Sequence, residues 1–138
     1  MIAYVDSSVV LRLVLGQPNA LAEWRRIDTG VSSALAEVEC LRSLDRMRLL
    51  GGYSDEAIAE RRRAVYDLLE TLETAEVTYS VLARAAQPFP TSIRTLDAIH
   101  LATALLWKEQ TGKDPTMATH DHALAVAATA MGMSVIGA

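Results

Sequence analysis

Four acidic residues, Asp6, Glu39, Asp97 and Asp121, stand where distant parts of the chain could bring them together. Asp6 follows directly on the apolar run Ile2 to Val5, and Asp121 lies two residues past a second run, 116–119. If both runs are strands of a parallel sheet, both acids emerge on the rim formed by the strands' carboxyl ends, where such sheets place their ligand sites. Asp97 opens the apolar stretch Leu96 to Trp107 after a loop that crosses the same rim. Glu39 sits inside a helical segment, with Leu35 one turn earlier and Ser43 one turn later on its side. Two unit charges ~4 Å apart repel by about 4 kcal/mol at an effective dielectric of 20, so four packed carboxylates need compensation. A hard divalent cation, Mg²⁺ or Mn²⁺, is the natural compensator for oxygen ligands. Such an ion activates water and polarises a phosphoryl oxygen. The competing explanation is local: an Asp between strand and helix often only caps the helix, and acids in a first turn complement its dipole. Glu39 and its neighbour Glu37, taken singly, read as solvated helix residues. Three acids convergent on one rim, with a fourth in reach, favour the shared site.

The elements that must carry these acids alternate between strand and helix. Ile2 to Val5 reads as a buried strand feeding a helix over Ser7 to Leu15. Gly16-Gln17-Pro18-Asn19 breaks it, and Pro18 suits the start of a second helix, roughly 19–28. Thr29-Gly30 reads as a turn and Val31 to Ser33 as a short strand. A helix over Ala34 to Leu50 closes at Gly51-Gly52. Ser54 caps the next helix, which has Ile58, Val65, Leu69 and Leu72 on one face and Glu56, Glu60, Arg63, Asp67 and Glu70 on the other. Glu76 to Tyr79 reads as a strand, Val81 to Ala86 as a short helix ended by Pro88 and Pro90, and 96–107 as a strongly apolar helix. A strand over 116–119, a helix over 121–130 and a last strand over 134–136 complete the chain. This alternation predicts one domain over 1–138, a three-layer α/β/α sandwich with a mainly parallel sheet.

Composition narrows the classes. Of 138 residues, 51% are hydrophobic and 22% charged, the balance of a packed globular chain and not a disordered one. A net charge of −4 argues against a broad basic face for holding nucleic acid, but not against an enzyme whose acids hold a cation. The single cysteine, Cys40, excludes an internal disulfide and fits a reducing cytoplasm. No signal peptide is expected at the start, and no apolar run approaches the ~20 residues of a membrane helix.

Other chemistries find less support. His120 and His122 flank Asp121, but three histidines and one cysteine are too few for a closed zinc site. Ser7 and Ser8 lack a Gly-x-Ser-x-Gly elbow, and no Gly-rich phosphate loop is present. A phosphatase nucleophile at Asp6 calls for a second Asp where Ser8 stands. His100, one turn after Asp97, reads as a packed core histidine. Trp24 and Trp107 read as core or interface residues.

Four segments, taken in order, resemble the motifs of PIN-domain nucleases. Val5-Asp6-Ser7-Ser8-Val9-Val10 resembles the first, and Ser33-Ala34-Leu35-Ala36-Glu37-Val38-Glu39-Cys40-Leu41-Arg42 the second, with Glu39 rather than Glu37 at the family's acidic place, six residues after Ser33. Arg94-Thr95-Leu96-Asp97-Ala98-Ile99-His100-Leu101-Ala102-Thr103-Ala104 is very similar to the third, the most specific. Thr119-His120-Asp121-His122-Ala123-Leu124 resembles the fourth. The resemblance spans nearly the whole chain. It implies four or five parallel strands between helices and a Mg²⁺- or Mn²⁺-dependent ribonuclease. Short members of this kind are mostly VapC-type toxins, homodimers silenced by a small antitoxin whose tail fills the active-site groove. On that footing Asp6 and Asp97 are the principal metal ligands, Glu39 and Asp121 complete the cluster, and one of the four is the general base. Ser7 and Thr119 hydrogen-bond the carboxylates. Arg42 and Arg94 are candidate phosphate contacts on RNA, or balance nearby acids. Leu11, Val14, Leu21 and Trp24 form a groove for an antitoxin helix, or core. Two other readings stand beside the toxin: a PIN-like nuclease of RNA processing or flap-like DNA, and a binding module whose acids are only caps.

Overall fold

The computed structural model describes residues 1–138, and its elements alternate between strand and helix as the sequence patterning requires. In order they are β1 (Ile2–Val5), α1 (Ser7–Val14), a 3-10 turn (Ala22–Arg26), β2 (Thr29–Ser33), α2 (Leu35–Leu50), α3 (Asp55–Glu70), β3 (Glu73–Ala75), α4 (Tyr79–Ala85), α5 (Thr95–Thr111), β4 (Thr116–Ala118), α6 (His122–Ala130) and β5 (Val135–Ile136). All five strands are parallel and lie in the order β3-β2-β1-β4-β5. The chain builds outward from β1 to β3, then returns to add β4 and β5 on the other side of β1. The order therefore reverses between β1 and β4, and at such a switch point the crossovers diverge and leave a crevice at the carboxyl ends of the strands.

Strand alternation divides the core between two helical layers. Ala3 and Val5 face Val9, Val10 and Val14 of α1, Cys40 and Leu44 of α2 and Val65 of α3. Tyr4, Val31 and Met117 face Leu101, Ala104 and Trp107 of α5 and Leu124, Ala127 and Ala128 of α6. The central helix of the second layer, α5, buries residues on nearly its whole circumference, from Ala98 to Trp107, and ends at Gly112 in the left-handed conformation (φ 70°). No helix is long and apolar enough to cross a membrane.

Three local expectations are corrected. The helix predicted over 19–28 is only the 3-10 turn Ala22–Arg26, because Asp28 N–H bonds Met1 O at 2.8 Å and pulls the chain into β2. Thr29 and Gly30 are not a turn; they are the first residues of β2, paired with Ile2 and Ala3. Gly30 is there for room: a Cβ would stand 2.4 Å from Leu72 Cδ2. The strand predicted over 76–79 lies earlier, at Glu73–Ala75, paired with Val31 to Ser33. Thr78 instead caps α4, its Oγ1 accepting from Val81 N–H at 3.2 Å, so a residue of high β propensity acts as a helix start.

Candidate active site

Asp6 leaves β1 at the switch point and caps α1. Its Oδ1 accepts from Ser8 N–H at 3.0 Å and Val9 N–H at 3.4 Å, so the cap explanation is correct as far as it goes. A cap does not require the rest of its environment. Asp6 is only 3% exposed, Ser8 Oγ donates to Oδ1 at 2.5 Å, and Thr119 Oγ1, from the end of β4, donates to Oδ2 at 2.7 Å. Those hydroxyls are themselves held: His120 N–H donates to Ser8 Oγ at 2.9 Å and Asp121 N–H to Thr119 Oγ1 at 3.0 Å. The two strand ends are thus sewn together around one carboxylate. Burial raises the carboxyl pKa of Asp6 above its ordinary value, against the pull of the Ser8 and Thr119 hydrogen bonds and the nearby His100.

The expectation for Ser7 is corrected here. Ser7 is the first residue of α1 and its carbonyl accepts from Cys40 Sγ at 3.8 Å; the hydroxyl on Asp6 belongs to Ser8. An Asp side chain reaches the residue two places on, the geometry of an Asx turn, and that spacing could have identified Ser8.

Asp121 caps α6 through Oδ1, which accepts from Leu124 N–H at 2.8 Å. Asp97 is not a cap. The helix begins earlier than expected, with Arg94 at the cap position and Asp97 in the first turn. Its side chain lines a cleft of about 440 Å³ together with Asp121, Ser92, Ile93, Arg94 and Ala123. The Asp97 pKa is pushed up to about 6, first by burial and then by the negative charges of Asp121, Asp6 and Glu39, with His100 opposing. The other three predicted acids are therefore each within electrostatic reach of Asp97. Glu39 arrives from the other helical layer, its Oε1 2.5 Å from His100 Nε2. The same negative field, with burial, raises the Cys40 thiol to about 12, leaving it an inert core group.

The donor set suits a hard cation: four carboxylates and two hydroxyls, all oxygen, with one carboxyl whose proton is retained to an unusually high pH by burial and by its charged neighbours. No three Asp, Glu, His or Cys groups stand close enough together to ligate a single ion directly. That spacing is compatible with Mg²⁺, which keeps several waters and is held by one or two carboxylates. The two arginines differ. Arg94 lines the cleft, whereas Arg42 is largely exposed on α2 with Nη1 3.6 Å from Asp45. A larger hollow of about 490 Å³ between α4 and α5 contains none of the four acids and is mostly apolar. His120 does not join a metal-binding pair with His122; its Nδ1 lies 2.7 Å from Gly137 O.

Sequence reasoning missed two participants besides Ser8. Tyr4, two residues before Asp6 and on the same face of β1, has its hydroxyl 2.7 Å from His100 Nδ1. His100, taken from the sequence as core packing, is 1% exposed and joins Tyr4 to Glu39.

Residues 3–129 match the PIN domain family. Ribonuclease VapC46 of Mycobacterium tuberculosis (strain ATCC 25618 / H37Rv) is 38% identical over 136 residues, covering 96% of this chain and 95% of the relative. Among solved structures, a toxin-antitoxin complex from Klebsiella pneumoniae matches with a TM-score of 0.68 at 15% identity, over 97% of this chain and 95% of that one. The structure of FitAB bound to an IR36 DNA fragment matches with a TM-score of 0.73 at 18% identity, over 98% and 94%. At those identities the structural matches speak for the fold alone.

Proposed function

The chain belongs to the PIN-domain family, among its VapC-type members, and from that premise we propose that it is a divalent-metal-dependent endoribonuclease acting as the toxin of a toxin–antitoxin pair. The observation that carries the chemical part is Asp6 buried at the switch point and held by hydroxyls from two strand ends, beside Asp97, whose pKa is pushed up to about 6 first by burial and then by the charges of Asp121, Asp6 and Glu39. Helix capping explains Asp6 and Asp121; it does not explain why Asp97 and Glu39 join them.

Asp6 and Asp97 would hold Mg²⁺ or Mn²⁺, and Glu39 and Asp121 would complete the cluster through water. A bound ion would supply a water of lowered pKa and stabilise negative charge on the phosphoryl group. The chain's own residues do the positioning. Ser8 and Thr119 fix both oxygens of Asp6, and the Asp121 carboxylate is fixed by the first turn of α6. The carboxylates accept hydrogen bonds from the attacking water and orient it, and one of them takes its proton as the new P–O bond forms. The old P–O bond breaks and the leaving oxygen takes a proton from a solvent water, while the carboxylate later returns its own proton to solvent. Arg94 on the cleft wall meets a flanking phosphate; Arg42, an exposed cation on α2, is at most an outer contact.

The substrate is RNA and the partners are a second copy of the chain and a small antitoxin, in the cytoplasm. The relative named a ribonuclease and the fold neighbour described as a toxin-antitoxin complex support this assignment. The test is RNA cleavage by purified wild type, Asp6→Asn and Asp97→Asn in Mg²⁺ or Mn²⁺. Wild type is expected to cleave and both variants to fall by at least ~100-fold, about 2.7 kcal/mol of barrier. Equal rates in all three would refute the four-carboxylate site.

A further inference from the structure

Asp6, Asp97 and Asp121 are placed by their own backbone: each stands at or within the first turn of the helix it begins. Glu39 is not. It lies in the second turn of α2, whose buried residues Cys40 and Leu44 pack into the layer on the far side of the sheet from α5. The partner that brings its carboxylate to the rim is His100 of α5, 61 positions away in sequence. His100 Nε2 is 2.5 Å from Glu39 Oε1, and Nδ1 is 2.7 Å from Tyr4 Oη, with the two rings edge to face at 5.9 Å and 69°. The imidazole is 1% exposed and Tyr4 is fully buried, so water does not compete for either contact.

We propose that His100 is a positioning residue that holds Glu39 toward the acidic rim beside Asp97, with Tyr4 fixing the ring that does the holding. The purpose of the aiming rests on the nuclease reading; the contact itself does not. Hydrogen-bond accounting gives the direction. A tyrosine hydroxyl keeps its proton at neutral pH, its reference pKa being about 10. Donated to Nδ1, that proton leaves Nδ1 as an acceptor and puts the ring's own proton on Nε2, facing the carboxylate. The opposite tautomer would set a bare nitrogen lone pair against a carboxylate oxygen at 2.5 Å. With Oε1 occupied, Oε2 is the oxygen of Glu39 left free for another partner. The chain Tyr4–His100–Glu39 also spans the carboxyl edge of the sheet, so it links the two helical layers where the acids of both must meet.

Two near-isosteric variants separate the contacts. His100→Gln can put an amide N–H near the place of Nε2, whereas His100→Asn reaches only as far as Nδ1 and keeps the Tyr4 contact alone. The expected result is that Gln retains kcat within about threefold, while Asn loses about tenfold or more in kcat with KM little changed. Glu39→Gln is expected to cost less in the His100→Asn background than in wild type, because the carboxylate it removes is there no longer aimed. Independently of RNA and metal, the ¹⁵N shifts of the His100 ring should show Nε2 protonated and Nδ1 bare. In Tyr4→Phe, which keeps the aromatic ring, the Nδ1 shift should move because its hydrogen bond is lost. A proton on Nδ1 with Nε2 bare, or an Asn variant as fast as wild type while Asp97→Asn is dead, overturns the proposal. If wild type cleaves no RNA but the ring carries its proton on Nε2 and the Glu39 carboxyl ¹³C shift moves in His100→Asn, the positioning stands and the nuclease reading alone falls.

Discussion

The carboxyl rim of the sheet and the apolar layers beneath it obey opposite rules. In the layer under α5 and α6, Leu101, Met117 and Leu124 are completely buried in an apolar cluster. A few ångströms along the same strands, Asp6 is buried at 3% exposure and Asp97 holds its proton to about pH 6 against three like charges. Packing of the first kind lowers the folded state's energy. The second kind raises it, and a chain retains such strain where a ligand relieves it. The contrast therefore separates what stabilises the fold from what the fold positions.

The sharpest way to break this contrast is to exchange the outcomes. Leu101→Ala should leave a cavity and cost ~2–5 kcal/mol of stability, read as a fall in denaturant midpoint, with the acids' chemistry untouched in whatever fraction stays folded. Asp97→Asn should do the reverse: RNA cleavage falls by at least ~100-fold, yet the metal-free protein becomes more stable at neutral pH, by a few degrees in Tm. The sign follows from linkage. The folded chain keeps the Asp97 proton to about pH 6 and the unfolded chain loses it near 3.9, so wild type is penalised once pH has risen through that window. The variant's advantage in EDTA should be full above pH 6 and vanish toward pH 4; a variant less stable than wild type at pH 7 would remove the strain from the picture.

Smaller effects sharpen it further. Gly30→Ala puts a methyl group against Leu72 Cδ2 and should cost ~1 kcal/mol, the low end of overpacking because the obstacle is the tip of a side chain. Activity per folded molecule should not change, since Gly30 lies at the amino end of β2. Arg94→Ala should raise KM for RNA a few-fold and flatten its salt dependence while leaving the unfolding free energy within about 0.5 kcal/mol of wild type. An Arg94 variant with unchanged KM would confine Arg94 to balancing its acidic neighbours.

Legibility in the sequence divides along the same line. Elements driven by local periodicity, such as α3 with its Ser54 cap and apolar face, were readable within a residue or two. So was the rim shared by Asp6 and Asp121, because strand ends in a parallel sheet emerge together. What could not be read depends on contacts far apart in sequence. The place of β3 is set by pairing with β2, the loss of a helix before Asp28 by a bond to Met1, and the reach of Glu39 by His100. Ser8 was missed for a different reason: two adjacent serines look alike until the Asp6 rotamer chooses between them.

The central claim, that carboxylates from four distant segments jointly hold a divalent ion, is tested most directly by Mn²⁺ binding followed through the loss of its free EPR signal, using wild type, Asp97→Asn and the quadruple variant Asp6→Asn, Glu39→Gln, Asp97→Asn, Asp121→Asn. Wild type should bind Mn²⁺ saturably, the single variant at least tenfold more weakly, and the quadruple variant not at all. Undiminished binding by the quadruple variant, or none by wild type at millimolar Mn²⁺, would contradict the claim.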